Sequence, residues 1–151
     1  MKKIKKTMFV LLGTVILLMA FQCNKDESEQ TLNPYNAHHS GCLRHTDAAA
    51  KGFENPDIVE VEFNGGTTVH VIHHNLSVNC GTAGMEGGIE VNCIRNGSTI
   101  DIYELEDENN PQANCMCEVD NEFYIYGLER GTYTFVFHSW YPEAQAFTFT
   151  F

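Results

Sequence analysis

The chain has 151 residues, of which 20 are acidic and 9 are basic, and its formal net charge at pH 7 is −11. This charge argues against nucleic acid or an anionic membrane face as a binding partner, because both repel an acidic surface. The length allows one domain with its own hydrophobic core.

The first 22 residues have the layout of a secretory signal peptide. Four lysines precede an uncharged, mostly apolar segment, residues 7–21. That segment is short for a membrane-spanning helix, which needs about 20 apolar residues. We therefore expect residues 1–22 to be removed on export, with an uncleaved anchor as the alternative. Removal would leave five basic and twenty acidic residues.

Cys23 stands directly after this segment and is followed by Asn24-Lys25-Asp26-Glu27. A cysteine at this place resembles the lipobox of bacterial lipoproteins, where the signal is cut just before a cysteine that is then acylated. The following lysine and two acidic residues are similar to the surface-export signal of Bacteroidota lipoproteins. The resemblance implies lipid attachment at Cys23, with the outer membrane as partner and a location facing the cell surface. Two or more acyl chains anchor a protein stably.

A polar segment with one proline separates Cys23 from the rest of the chain. Its composition predicts a flexible tether. We therefore expect a signal peptide at 1–22, a lipidated cysteine and tether at 23–36, and a single β-domain at 37–151.

Eight segments of the body alternate apolar and polar residues with a period of two, which is typical of half-buried strands. These segments are 57–63, 67–75, 76–80, 87–95, 98–106, 122–128, 131–138 and 146–151. The only candidate helix is the segment 45–53. About eight short strands predict an all-β fold, an antiparallel β-sandwich of the immunoglobulin-like or transthyretin-like kind. A small outer-membrane β-barrel is the alternative, because the C-terminal "AFTFTF" resembles the last strand of such barrels.

One hairpin is specific enough for a predicted register. With Asn96-Gly97 as a two-residue turn, Cys93 lies opposite Ile100 and Val91 lies opposite Ile102. Cys93 then shares its side of the sheet with apolar residues, so we expect it in the core.

Five cysteines remain in the body, and an exported chain meets an oxidising compartment, so disulfides are expected. Cys115 and Cys117 lie two residues apart, so each needs a distant partner. The natural partners are Cys42 and Cys80, in a pairing that the sequence leaves open. We expect two bridges and one free, buried thiol at Cys93.

The histidines offer a competing hypothesis, a zinc or copper site, because imidazole suits both metals. The spacing matches no standard zinc module, and His70 and His73 are expected on opposite faces of one strand. The candidate ligands are His38, His39, His45, His70 and His74. The acidic segment 101–110 has oxygen ligands for calcium but lacks EF-hand spacing, so a solvated loop is the better interpretation.

Motifs of the main enzyme classes are missing from the sequence, among them G-x-S-x-G, H-E-x-x-H and the phosphate loop. We therefore expect a non-enzymatic protein with no catalytic residue and no cofactor.

Three segments, "SGCL", "HHNLSVNC" and "ANCMCEVDNEFYIYGLERGTYTF", resemble small secreted or lipid-anchored Bacteroidota proteins of unknown function. The resemblance implies cysteines that serve the fold. Our functional expectation is a surface lipoprotein that acts as a binding or envelope structural module. The acidic surface and four aromatic residues suggest a protein or glycan ligand; these residues are Tyr103, Tyr124, Tyr126 and Trp140.

Overall fold

A computed structural model describes residues 29–47, 58–139 and 144–151 of the chain. This part contains ten strands and one short helix, α1. The elements are β1 Gln30–Leu32, β2 Pro34–His39, β3 Arg44–Asp47, β4 Ile58–Phe63, β5 Thr68–Asn79, α1 Cys80–Ala83, β6 Ile89–Asn96, β7 Thr99–Glu106, β8 Cys115–Tyr126, β9 Thr132–His138 and β10 Gln145–Thr150. The candidate helix at 45–53 is wrong at its start, where β3 lies, and its remaining residues are outside the described part.

The strands form two sheets that pack face to face. The first sheet has the order β1-β6-β7-β9-β10, and the second has the order β2-β8-β5-β4 with β3 also paired to β8. All pairs are antiparallel except β7 with β9. The all-β sandwich is therefore confirmed, with more strands than the eight expected. Neither sheet closes on itself among the described residues, so the small-barrel alternative is not supported.

The alternation of apolar residues accounts for the main core. Side chains from both sheets meet there, and Phe123, Phe135 and Phe137 are fully buried. Burying one such ring contributes about 1.5–3 kcal/mol to folding, so these aromatic strands carry much of the stability. A second, smaller cluster includes Leu76 and Val119, toward the other end of β5 and β8.

The folded domain begins earlier than the sequence indicated. Residues 30–32 pair with β6 in the first sheet, and Leu32 is buried in the main core. After one residue the chain enters β2, at the edge of the second sheet. Pro34 fits there because an edge strand does not need every backbone N–H. The expected tether of residues 23–36 is therefore wrong from residue 30 onward.

The hairpin between β6 and β7 has a different turn from the predicted one. Asn96 pairs with Thr99, so Gly97 and Ser98 form the loop, and Cys93 lies opposite Ile102. Gly97 has φ 61°, as a type II′ turn requires of its first loop residue. The register error is two residues along the partner strand. Because side chains alternate with the same period, Cys93 still faces the core.

Two predicted strands, 67–75 and 76–80, are one strand, β5, with an irregularity between His73 and Leu76. Next to it lies β8, which pairs with β5 along one side and with β3 and then β2 along the other. The strand β8 begins at Cys115, seven residues before the predicted start at 122. It therefore joins every other strand of the second sheet except β4.

Candidate functional site

A row of polar side chains crosses the interior between the two hydrophobic clusters. His39, Asn121 and His73 are register partners on β2, β8 and β5. Glu104 reaches the row from β7 in the opposite sheet. His73 Nδ1 donates to Glu104 Oε2 at 2.6 Å, and Asn121 Nδ2 donates to Glu104 Oε1 at 2.8 Å. His73, Glu104 and Asn121 are all at most 3% exposed, so their hydrogen bonds are made away from water.

Glu104 also lines a pocket at the end of β7 and β9. The pocket has a volume of about 430 Å³, which is in the usual range for small-ligand sites. The pocket therefore lies next to the buried polar row. Its lining consists of Asn79, Tyr103, Glu104, Leu105, Glu106, Asp107, Glu108, Gln112, His138 and Ser139.

The pocket is strongly acidic, with four carboxylates and no lysine or arginine in its lining. Glu106 is held in place by the backbone N–H of Asn79, at 3.0 and 3.1 Å, and by the hydroxyl of Thr82. Asp107 accepts from the backbone and side-chain N–H groups of Asn109, and these hydrogen bonds lower the pKa of Asp107. Glu104, Glu106 and Asp107 are thus positioned by the fold before any ligand arrives.

An aromatic pair forms one wall of the pocket. Tyr103 and His138 are opposite one another on the parallel strands β7 and β9, and their rings stack with centroids 4.5 Å apart. His138 Nε2 lies 2.8 Å from Asp101 Oδ1, which fixes the orientation of the imidazole. The wall offers a flat ring surface beside negative charge.

A second group of aromatic side chains lies on the outer face of the second sheet, and we call Tyr35, Tyr124, Tyr126 and His70 the tyrosine face. Tyr35 stacks on Tyr126 with centroids 4.0 Å apart, and His70 stacks on Tyr124 at 4.4 Å. A hydrogen bond to Tyr126 raises the pKa of Tyr35 to about 12. Tyr126 is 53% exposed, so this face is open to solvent.

The structure separates most of the histidines proposed as metal ligands. His38 and His70 lie on either side of Glu122, at 3.4 and 2.7 Å, whereas His74 contacts Asp120 and Glu60. His39 Nε2 contacts the carbonyl of Met85, and His45 lies in β3. No group of three or more His, Cys, Asp or Glu side chains in the described ranges is arranged to hold a metal ion. The described residues therefore do not bring the candidate histidines together as a set of metal ligands.

Both disulfides join the four cysteines that were expected to pair. The bridges are Cys42–Cys117 and Cys80–Cys115. Cys93 is free and fully buried. Burial, together with the negative charge of Glu104, raises the pKa of the Cys93 thiol to about 12, so the thiol stays protonated and unreactive in the folded protein.

Sequence reasoning missed the central role of Glu104. In the predicted hairpin this carboxylate already stood on the apolar side of its strand, with Ile100 and Ile102, and a buried carboxylate needs hydrogen-bond partners. The interpretation of 101–110 as a solvated acidic loop is therefore wrong for Glu104, which lies buried in β7. Two expected functional residues, Cys23 and Trp140, lie outside the described residues.

No helix in the described ranges is long and apolar enough to cross a bilayer. Comparison of the chain with protein-family models, with curated proteins and with solved structures finds no match.

Proposed function

We propose that this chain is a non-enzymatic, surface-exposed outer-membrane lipoprotein whose acidic pocket binds a basic side chain of a protein ligand. The lipid at Cys23 holds the domain at the membrane, and the sandwich presents the pocket. The observation that carries the binding proposal is the pocket lining, with four carboxylates and no compensating lysine or arginine.

The hydrogen bonds that the pocket carboxylates already make within the protein decide which ligand fits. Glu104 and Glu106 are each hydrogen-bonded within the protein, so they contribute negative potential more than new hydrogen bonds. Glu108 is exposed, and its carboxylate is the natural direct contact. The ring of Tyr103 adds a surface on which a guanidinium group can stack. An arginine side chain satisfies all three features, because it is cationic, planar and rich in donors.

The binding test uses a small probe, N-acetyl-arginine amide, titrated into the isotopically labelled protein and followed by backbone amide NMR shifts. We expect saturable shifts at residues 103–108 and at His138. The uncharged analogue N-acetyl-citrulline amide, which has nearly the same shape, should cause little shift, because it lacks the charge that the carboxylates attract.

Matched variants separate the pocket from general charge attraction. Glu108→Gln should weaken the binding of the arginine probe several-fold. The control Glu129→Gln should not, because Glu129 is exposed in the connection that precedes β9, at the end of that strand away from the pocket. Equal shifts with both probes, or shifts spread over all acidic surfaces, would contradict the proposal.

The location is tested separately. A Cys23→Ser variant expressed in the native organism should be lost from the membrane fraction. Protease added to intact cells should degrade the parent protein, because the proposal places it on the cell surface. A variant that still sediments with membranes would contradict anchoring through lipid at Cys23.

The tyrosine face supports a second candidate ligand, a glycan. Tyr35, Tyr124 and Tyr126 lie together beside Glu122, and rings next to polar acceptors suit the alternating apolar and hydroxyl surfaces of sugars. Screening on a glycan array should give binding that Tyr126→Ala removes. Leu43→Ala, which truncates another exposed apolar side chain, is the matched control. An unchanged binding pattern in Tyr126→Ala would remove this candidate.

A further inference from the structure

The two disulfides touch one another and form one cluster, which we call the sulfur cluster: Cys42, Cys80, Cys115 and Cys117. Cys117 is bonded to Cys42, yet its Sγ lies only 3.3 Å from the Sγ of Cys80 in the other bridge. Both bridges meet on β8, at positions two residues apart that project to the same side of the strand. Cys117 therefore has two sulfur neighbours, one bonded and one in contact.

The two ends of the Cys42–Cys117 bridge differ in accessibility. Cys42 lies in an exposed connection between β2 and β3, whereas Cys117 is 2% exposed. Of the two sulfurs in this bridge, an incoming thiolate can reach only that of Cys42 without opening the fold. Because the sulfur that is not attacked becomes the leaving group, the buried Cys117 must take the electron pair.

We propose that Cys42 is a thiol-exchange site, modified by an external thiol and completed by rearrangement within the sulfur cluster. The thiolate of the external thiol attacks Cys42 Sγ and forms a mixed disulfide, and the Cys42–Cys117 bond breaks with its electron pair on Cys117. The Cys117 thiolate attacks Cys80 Sγ, forming Cys80–Cys117. The Cys80–Cys115 bond breaks, and Cys115 takes the electron pair and then a proton from water.

These exchange steps need no oxidant or reductant. Two disulfides are present before and after, one external thiol is consumed, and one protein thiol, Cys115, is released. The rearrangement is favoured because a thiolate is poorly solvated at the buried Cys117 and better solvated at the half-buried Cys115. The residue released from its protein bridge is Cys42, so the chain before β3 loses its covalent link to β8.

The experiment treats the purified, fully oxidised protein with reduced glutathione as the probe, followed by trapping of free thiols with iodoacetamide. Cyanogen bromide then cleaves after Met116, which separates Cys115 from Cys117 for peptide mass mapping. We expect glutathione on Cys42, the alkyl group on Cys115 and a Cys80–Cys117 bridge. The unmodified thiol of the buried Cys93 reports that the protein stayed folded during the reaction.

Three outcomes would overturn the proposal. In the first, glutathione is on Cys42 but the alkyl group is on Cys117, with Cys80–Cys115 intact. In the second, glutathione first appears on Cys80 or Cys115. In the third, no adduct forms while Cys93 remains protected.

A variant tests the relay independently of this mapping. The double change Cys80→Ser and Cys115→Ser keeps the Cys42–Cys117 bridge but removes the Cys80 sulfur that the Cys117 thiolate attacks. Loss of the accumulated adduct at Cys42 is expected, because Cys117 then re-attacks Cys42 and expels glutathione. An adduct yield equal to that of the unmodified protein would show that the second bridge takes no part.

Discussion

Replacing Glu104 with leucine should be among the most destabilising single changes in this protein. The carboxylate accepts from His73 Nδ1 and Asn121 Nδ2 in a site where all three residues are at most 3% exposed. In Glu104→Leu these buried donors lose their acceptor, at a cost of about 1–3 kcal/mol each. Together these two losses should lower the free energy of unfolding by about 2–6 kcal/mol.

The isosteric change Glu104→Gln provides the matched comparison. Its oxygen still accepts from Asn121, and its N–H₂ group can donate to His73 Nδ1 when the imidazole carries its proton on Nε2. We therefore expect a loss of only about 1 kcal/mol for Glu104→Gln. Urea unfolding followed by far-UV circular dichroism, without reductant so that both disulfides stay intact, measures both variants against the parent protein.

A double-mutant cycle shows whether hydrogen bonding is the cause. His73→Leu combined with Glu104→Leu should lose less stability than the sum of the two single changes, because the double variant leaves only Asn121 without its hydrogen-bond partner. A loss below about 1 kcal/mol for Glu104→Leu, or strictly additive single effects, would refute the reasoning that this contact stabilises the row.

Three further outcomes are expected. Because the folded-state pKa of Cys93 is about 12 against a usual 9.0, unfolding releases its proton above pH 9 and stability falls between pH 9 and 12. By pH 10.5 the loss of unfolding free energy caused by Cys93 should reach about 2 kcal/mol. In Cys93→Ala the unfolding free energy, measured by denaturant titration, should therefore depend less on pH over this range. Gly97→Ala, at φ 61°, should cost about 1 kcal/mol and Ser98→Ala almost nothing in thermal unfolding. Arg44→Ala should cost about 1.5–3 kcal/mol in urea unfolding, because Glu118 is 4% exposed and loses a two-point hydrogen-bonded partner; equal stability of Arg44→Ala and the parent would contradict this.

The features that sequence could predict are those with a local physical cause. A period of two in the apolar residues predicted the main strands, and the same alternation placed Cys93 inside even though the register was wrong. The register failed because Asn96-Gly97 and Gly97-Ser98 are both acceptable turns, and only tertiary packing selects between them. The strands β1 and β2 were missed because short edge strands with polar residues carry little periodic signal.

The pocket was beyond sequence reasoning for a different reason. Its lining combines residues from β5, β7, the following connection and the end of β9. The most distant of them in the chain, Asn79 and Ser139, are 60 positions apart. The closeness of Tyr103 and His138 depends on the parallel pairing of β7 with β9, which no local pattern encodes. The acidic segment itself was visible, but its concave arrangement was not.

The early position of β1 sets how far the domain can move from the bilayer under the proposed anchoring at Cys23. Only seven peptide units separate Cys23 from Gln30, where pairing with β6 begins. Even fully extended, that length of chain spans about 25 Å. The sandwich would therefore remain within about its own diameter of the lipid headgroups, and any partner it captured would be held close to the cell surface.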